Sequence, residues 1–334
     1  MEYTSLGRTG VTVSRVCLGT MMFGGPTNEA DSIQILERAF ENGVNFVDTA
    51  NVYNDGESER IVGKAIKDRR DDIVLVSKVG GGRGQGPNQR GLSRRHIMSQ
   101  VEQSLERLAT DYLDVYLFHW PDRGCPIEES LRASDDLISQ GKVRYAGCSN
   151  YHGYELVEAL WAAERLSFTP TRVNQLKYNI VNRDAEVDVL PACHRFGVGT
   201  MVYSPLARGV LSGKYRQGEA PPKESRAGRQ DRRIQETELR EQSFDVAQAV
   251  GQLASEHGKT TTQLAINWVL GNGAVSAAVI GPRTEEQCLD NLGSVGWQIG
   301  QEALDRIDEL VPPGEHTGFG VSDPQDPVLG RPQR

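Results

Sequence analysis

The sequence predicts an α/β protein folded as a (β/α)8 TIM barrel, and two observations carry this prediction. Short apolar runs of strand character alternate with amphipathic helical runs, and the alternation occurs eight times along the 334 residues. Several strand candidates are continuous and rich in Val and Ile, as expected for strands covered by helices on both faces. Eight such units favour a closed barrel over an open doubly wound sheet, which usually has fewer strands.

The predicted elements begin with an N-terminal β-hairpin at residues 1–16, where EYTSLG and VTVSRV flank the turn Arg8-Thr9-Gly10. The barrel follows at residues 17–292. Its strand candidates are 16–21, 45–50, 72–79, 112–119, 142–150, 171–179, 199–206 and 276–281. The helices between them carry apolar stripes at helical spacing, as in Ile97, Val101, Leu105 and Leu108. A last helix is predicted at 301–310.

Two segments do not belong to the repeat. Residues 212–240, after strand seven, are highly charged and contain Pro-Pro, so they are predicted to form a long mobile loop. Residues 312–334 are rich in Pro and Gly, which is typical of an extended tail. Neither segment has the pattern of an independent domain, so we expect one barrel domain over residues 1–334.

Composition limits the partners and the compartment. A formal net charge of −8 and a pI of about 5.4 argue against nucleic acid or an anionic membrane surface as the main partner. The five Cys are scattered and form no C-x-x-C pair, which indicates reduced thiols in a cytoplasmic protein. No signal-peptide apolar core and no run of about 18 apolar residues is visible. The tail and the long loops could serve as contacts in a homo-oligomer.

Polar residues gather where three neighbouring strands end, which is where barrel active sites lie. Strand two ends at Asp48 and its loop carries Tyr53, strand three ends at Lys78, and strand four ends at His119. A carboxylate buried at a strand end needs a partner, and Lys78 on the next strand is the predicted one.

This set of side chains suits the reduction of a carbonyl group, because the carbonyl oxygen needs a proton when the carbon accepts a hydride. The pKa of a tyrosine is about 10, and a neighbouring Lys78 ammonium is expected to lower that of Tyr53 toward neutrality. Asp48 would keep the ammonium charged, and His119 would orient the carbonyl by hydrogen bonding or share in the proton transfer. Each residue alone also has a structural explanation, such as a buried ion pair or a packed phenol, but their joint register favours catalysis.

Longer motifs carry a family resemblance. They are LGRTGVTVSRVCLGTMMFG, NFVDTANVY, LVSKV, YLDVYLFHWPD, GKVRYAGCSN, NQLKYN, YSPLARGVLSGKY and AVIGPRTEEQCLDNL. In this order they resemble the aldo-keto reductases over nearly the whole chain. The resemblance implies that Tyr53 is the general acid and that Asp48, Lys78 and His119 complete a catalytic tetrad. It also implies NADPH lying across the barrel mouth.

The resemblance further assigns the cofactor contacts. Residues implied to hold the carboxamide are Ser149, Asn150 and Gln175, with Tyr203 stacked on the nicotinamide; those along the pyrophosphate are Ser204, Leu206, Gly209, Leu211, Ser212 and Lys214; those at the adenosine end are Arg283, Gln287 and Asn291. The residues themselves support this end of the site, because GPRT stands at a helix start that favours a phosphate. The Arg283 guanidinium suits a 2′-phosphate, which favours NADPH over NADH.

Several other residues receive weaker assignments. Trp120 and Phe23 are predicted to line the substrate pocket. The run of arginines from 226 to 233 is interleaved with acidic residues and is interpreted as a solvated flap, with a second phosphate contact as the alternative. Thr284 with Gln287 fits a capping box. No metal is predicted, because neither H-x-H nor H-E-x-x-H occurs.

The leading functional prediction is an NADPH-dependent reductase of aldehydes or ketones, and the long loops would admit a natural-product or deoxysugar ketone. A different class is a cofactor-binding redox sensor with little turnover, like the potassium-channel β subunits that the sequence resembles at the barrel level. A third option is a Schiff-base aldolase using Lys78. The pairing with Asp48 argues against that option, because a Schiff-base lysine must be neutral to attack.

Overall fold

Eight parallel strands close into a barrel within residues 1–318, the part of the chain that the computed structural model describes. They are Val16–Gly19 (β3), Phe46–Asp48 (β4), Val74–Val79 (β5), Leu113–Phe118 (β6), Val143–Ser149 (β7), Val173–Lys177 (β8), Gly199–Tyr203 (β9) and Ala277–Ile280 (β10). Neighbours pair in chain order, and β10 returns to β3 with Ile280 opposite Leu18. The predicted (β/α)8 barrel is confirmed, and each strand candidate contains one barrel strand.

Helices surround the barrel. They are Glu29–Glu41 (α1), Glu57–Ile66 (α2), Arg94–Leu108 (α3), Ile127–Ser139 (α4), Gly153–Leu166 (α5), Val189–Phe196 (α6), Arg232–Thr237 (α7), Glu241–Glu256 (α8), Thr261–Gly271 (α9), Glu285–Leu292 (α10) and Gln301–Leu310 (α11). The stripe predicted on α3 is buried, and Ser93 caps that helix by accepting a hydrogen bond from the His96 N–H. Among the described residues, every helix is too short or too polar to traverse a lipid bilayer.

The N-terminal hairpin closes the end of the barrel where the strands begin. It pairs Tyr3–Ser5 (β1) with Thr12–Ser14 (β2), as predicted. Leu6 and Val13 are fully buried in a cluster with interior side chains of the barrel strands. The chain passes close to the start of β9, since a Cβ added at Gly7 would lie 2.2 Å from the Gly199 nitrogen.

The segment after β9 is more structured than its sequence suggested. It contains α7, and Ile234 and Glu238 are both fully buried. Glu238 forms an ion pair with Arg208, with its Oε2 2.9 Å from the Arg208 Nε. This pair connects the segment to the turn Ala207–Ser212. The local sequence does not predict this helix, because RRIQET contains a single apolar residue.

The beginning of the predicted tail lies along the connection between β8 and α6. The Arg183 N–H donates to the Glu315 carbonyl at 2.9 Å, and the Thr317 N–H donates to the Val181 carbonyl at 3.1 Å. Residues 319–334 of that tail lie outside the described part of the chain.

Candidate active site

The structure brings the four predicted tetrad residues together at the carboxyl ends of β4, β5 and β6. The Lys78 Nζ donates to the Asp48 carboxylate at 2.7 Å, to the Thr49 carbonyl at 2.8 Å and to the Tyr53 hydroxyl at 3.3 Å. The Lys78 side chain is fully buried and that of Asp48 is 4% exposed. Asp48 therefore has the partner that a buried carboxylate requires.

Tyr53 is placed by a sharp turn between β4 and α2. Asn54, Asp55 and Gly56 have φ angles of 46°, 54° and 87°, so three consecutive residues adopt the left-handed conformation. The Asn54 side-chain amide donates to the carbonyls of Phe23 at 2.7 Å and Met21 at 3.0 Å. These bonds satisfy the turn and hold it against the loop after β3.

His119 lies beside Tyr53 as a neutral imidazole. The two ring centroids are 5.9 Å apart in an edge-to-face arrangement, and the backbone N–H of His119 donates to the Val79 carbonyl at 2.8 Å. Burial and then the charge of Lys78 lower the pKa of His119 from 6.5 to about 3. Its Nδ1 is buried without a hydrogen-bond partner within residues 1–318.

The charges of the tetrad differ from the expectation in one respect. Burial lowers the pKa of Lys78, but Asp48 and Tyr53 outweigh it, so the net shift is upward and the ammonium is retained. Burial raises the pKa of Tyr53, and this outweighs the lowering by Lys78. The expectation of an unusually acidic Tyr53 is therefore wrong in this structure, because desolvation of the phenolate exceeds the attraction of the ammonium.

The residues implied to hold a carboxamide surround the same place. The Tyr203 hydroxyl donates to the Asn150 Oδ1 at 2.7 Å, and the Asn150 Nδ2 donates to the His119 carbonyl at 2.9 Å and to the Ser149 Oγ at 3.1 Å. Gln175 donates to the Asp48 Oδ1 at 2.8 Å. This last contact extends the tetrad to β8, across the barrel interior, and the sequence analysis did not foresee it.

The chain after β9 forms a tight polar turn along the rim. Ser204 and Arg208 have φ angles of 53° and 54°, and Gly209 has a φ of 101°. A Cβ at Gly209 would lie 2.8 Å from the Lys214 Nζ, so the glycine lets this ammonium approach the backbone. The Ser212 Oγ donates to the Gly209 carbonyl at 2.7 Å, while Leu206 is half-buried and Leu211 buried.

Four basic side chains converge next to this turn: Lys214, Arg226, Arg229 and Arg283, referred to below as the cation cluster. Arg229 and Arg283 both donate to the Glu224 carbonyl. Partial burial and then the charges of the three arginines lower the pKa of Lys214. The Arg283 Nε is buried and has no partner in the described residues. The like charges of the cation cluster repel one another, and a bound anion relieves this repulsion.

The interpretation of residues 226–233 as a solvated flap is only half right. Arg232 is 82% exposed and pairs with Glu236, as does Arg233. Arg226 and Arg229 instead belong to the cation cluster. The local sequence pattern could not predict the positions of Arg226 and Arg229, because they depend on tertiary contacts that fold the segment back onto the rim.

Helix α10 holds the backbone of Arg283 through a side-chain hydrogen bond. Thr284 caps the helix by accepting from the Gln287 N–H at 3.3 Å, and the Gln287 Oε1 accepts from the Arg283 N–H at 2.9 Å. Gln287 therefore holds the backbone of Arg283. In a capping box its side chain would instead accept from the backbone N–H of Thr284, so the observed contact is displaced by one residue. Asn291, one turn further along α10, is buried.

The two residues predicted to line a substrate pocket have different positions. Trp120 is half-buried and stacks on His119, with ring centroids 6.1 Å apart and planes at 17°. Phe23 is fully buried in the apolar core. The structure thus places Phe23 in the core and not on an open pocket wall, because the loop after β3 pairs Phe23 with Thr27 and packs against α2 next to Phe23, at Gly24.

Comparison with known proteins decides the family. A model of the aldo/keto reductase family matches residues 15–312. The chain belongs to the aldo/keto reductase family. Its members generally use NAD(P)H, and this aldo/keto reductase is accordingly an oxidoreductase.

Relatives of this aldo/keto reductase cover nearly its full length. The uncharacterized oxidoreductase YrpG of Bacillus subtilis (strain 168) is 39% identical over 329 residues, which is 95% of this chain and 98% of the relative. Probable voltage-gated potassium channel β subunits of Oryza sativa subsp. japonica and Arabidopsis thaliana are each 36% identical over 318 residues, or 93% of this chain and 97% of theirs.

Proposed function

We propose that this aldo/keto reductase reduces an aldehyde or ketone to an alcohol, with NADPH as the hydride donor and Tyr53 as the proton donor. The observation that carries the proposal is the Lys78 ammonium, which contacts both the Asp48 carboxylate and the Tyr53 hydroxyl beside a neutral His119. A natural-product or deoxysugar ketone is a substrate class that the long rim loops would admit.

The residues present fit a phosphorylated dinucleotide. The cation cluster and the unpartnered buried Arg283 Nε call for a multiply charged anion, and phosphates at a helix start are a common solution. The cluster would hold the phosphates, while Ser149, Asn150, Gln175 and Tyr203 would hold the nicotinamide end. When bound, NADPH would supply a hydride to the carbonyl carbon.

Tyr53 has the protonation state that a general acid needs. Because its pKa lies above the ordinary value, the phenol is protonated at neutral pH. The phenol can therefore donate its proton to the carbonyl oxygen as the carbonyl carbon accepts the hydride. Lys78 stabilises the phenolate left behind, Asp48 keeps the ammonium charged, and the uncharged His119 ring is placed to orient the carbonyl.

The test is the Tyr53→Phe variant. With wild-type protein, NADPH oxidation is followed against a panel of aldehydes and ketones, including deoxysugar ketones. We expect kcat to fall by about 10²- to 10⁴-fold in the variant. NADPH affinity, measured by quenching of tryptophan fluorescence, should stay the same. Full activity in Tyr53→Phe would show that another group donates the proton.

A second candidate is a cofactor-binding redox sensor with little turnover. It is favoured by the similarity to the two probable potassium channel β subunits over 97% of their length. Steady-state turnover on the carbonyl panel discriminates: repeated cycles support the reductase, whereas one slow oxidation per bound NADPH supports the sensor. The aldolase alternative is disfavoured by the raised pKa of Lys78.

A further inference from the structure

A second buried ion pair lies directly behind the tetrad. The Arg107 Nε contacts the Glu59 Oε2 at 2.7 Å, and the two side chains are 6% and 0% exposed. The other carboxylate oxygen of Glu59 accepts from the Ser77 Oγ at 2.6 Å. Arg107 also contacts the Ser104 Oγ at 3.3 Å. These contacts join α2, α3 and β5, and the proposed reaction uses neither charge.

The pair connects the elements that carry Tyr53 and Lys78. Glu59 lies in the first turn of α2, which begins immediately after the turn Tyr53–Gly56. Ser77 precedes Lys78 on β5. The Arg107 side chain packs on the end of that turn. This contact is so close that a Cβ added at Gly56 would lie 2.7 Å from the Arg107 Cδ. The ion pair thus holds the start of α2 against the strand of the catalytic lysine.

A neutral hydrogen-bonded cluster holds the same helix start to the other strand ends. The Ser58 Oγ lies 2.7 Å from the Thr20 Oγ1 and 2.9 Å from the Thr49 Oγ1, and it donates to the Thr20 carbonyl at 2.9 Å. The Thr49 carbonyl in turn accepts from Lys78. The start of α2, which follows the turn carrying Tyr53, is therefore fixed both to β5 and to the residues that follow β3 and β4.

We propose that Glu59 and Arg107 are positioning residues, which set the distance between the Tyr53 hydroxyl and the Lys78 ammonium. A buried ion pair adds little to stability compared with apolar groups of similar volume, so stability alone does not account for it. What this pair does provide is a directional link across the turn. The kinetic part of this proposal depends on the proposed function, but the position of the phenol can also be measured without turnover.

The kinetic test uses Glu59→Gln, which keeps the shape of the side chain and removes its charge. Displacement of a catalytic group by about 1 Å costs up to about 10²-fold in rate, so we expect kcat to fall by about 10- to 100-fold. KM and NADPH affinity should be unchanged. In the Tyr53→Phe background the same substitution should cause no further loss, since no hydroxyl remains to be positioned. An equal loss in both backgrounds would overturn the proposal.

Two further variants separate positioning from stability. Arg70→Met breaks the Arg70–Asp114 pair, which is 2.8 Å long and lies near the opposite end of the barrel. It should lower stability and leave kcat unchanged. The double variant Glu59→Gln/Arg107→Met removes both buried charges and should recover the stability lost by Glu59→Gln, but not kcat. Recovery of both would mean that the pair is only structural.

The readout without turnover is ¹⁹F NMR of protein labelled with 3-fluorotyrosine. The Tyr53 resonance is assigned by its absence in Tyr53→Phe. It should shift in Glu59→Gln and stay in place in Arg70→Met, whereas an unmoved resonance in Glu59→Gln refutes positioning. If wild-type protein turns over no carbonyl, the proposed function fails, and this resonance still decides the role of Glu59.

Discussion

At the scale of single residues, Lys78 connects the groups of the site, because its one ammonium binds a carboxylate, a backbone carbonyl and a phenol. Removing one member of such a buried pair leaves the other charge uncompensated. We predict that Asp48→Asn lowers the free energy of unfolding by about 3–5 kcal/mol, measured by urea denaturation. The control Lys64→Met breaks an exposed pair with Glu29 and should change it by at most about 1 kcal/mol. A loss in Asp48→Asn no larger than the control would contradict the buried pairing.

His119 gives a prediction about pH. Its pKa is about 3 in the folded protein and 6.5 as a free side chain, so the unfolded state binds more protons between these values. Stability is therefore lost as the pH falls from about 6.5 toward 3. Between pH 6.5 and 5 this single group should account for about 1.5 kcal/mol.

The comparison that isolates this effect is His119→Gln. The variant should lose less stability than wild type over the same interval, in which the carboxylates with ordinary pKa values stay largely ionised. If the free energy of unfolding fell by the same amount in the two proteins as the pH was lowered, His119 would not titrate as a buried neutral imidazole.

At the scale of elements, the segment after β9 and the loop between β10 and α10 together supply the cation cluster. If Arg283 binds a 2′-phosphate, Arg283→Gln should raise the NADPH Kd by about 10- to 100-fold, the value of a charge-assisted hydrogen bond. The NADH Kd should change by less than about threefold, because NADH lacks that phosphate.

The matched control is Arg232→Gln, which removes an exposed arginine of the same segment that pairs only with Glu236 among the contacts described. It should leave both Kd values unchanged. Equal weakening of NADPH and NADH by Arg283→Gln would instead assign Arg283 to the pyrophosphate.

The elements also show which features a sequence reveals. The strands were predictable because apolar runs alternate with amphipathic helical runs. The tetrad was predictable because three neighbouring runs end near Asp48, Lys78 and His119, and the carboxyl ends of the strands meet at one rim in a parallel barrel. The contact of Gln175 with Asp48 was not, because it crosses the barrel interior between β8 and β4. Arg226 was missed for a related reason: the fold of its segment depends on distant contacts such as Arg208 with Glu238.

At the scale of the whole molecule, the two ends of the barrel have different tasks: one bears the tetrad and the other is closed by the hairpin. Gly7 has a φ of 57°, and a Cβ there would collide with the Gly199 backbone. Gly7→Ala should therefore destabilise the protein by at least about 1–3 kcal/mol, measured by denaturation, while kcat of the folded protein is kept. Gly10→Ala is the control, because an added Cβ at Gly10 meets no atom within 4 Å. A large loss of kcat in folded Gly7→Ala would mean that the two ends are coupled.

The seam between β3 and β10 has a consequence for biosynthesis. Val16 lies opposite Ala278, and the Arg15 guanidinium donates to the Val275 carbonyl at 2.5 Å, so the ring joins the earliest barrel strand to the last. Until residues 277–280 leave the ribosome, β3 and β9 both lack the partner strand β10, so barrel strands that pair during synthesis form a sheet with two bare edges. Bare edges invite pairing with other chains. We therefore expect a chaperone that shields strand edges during this interval to raise the yield of closed barrels.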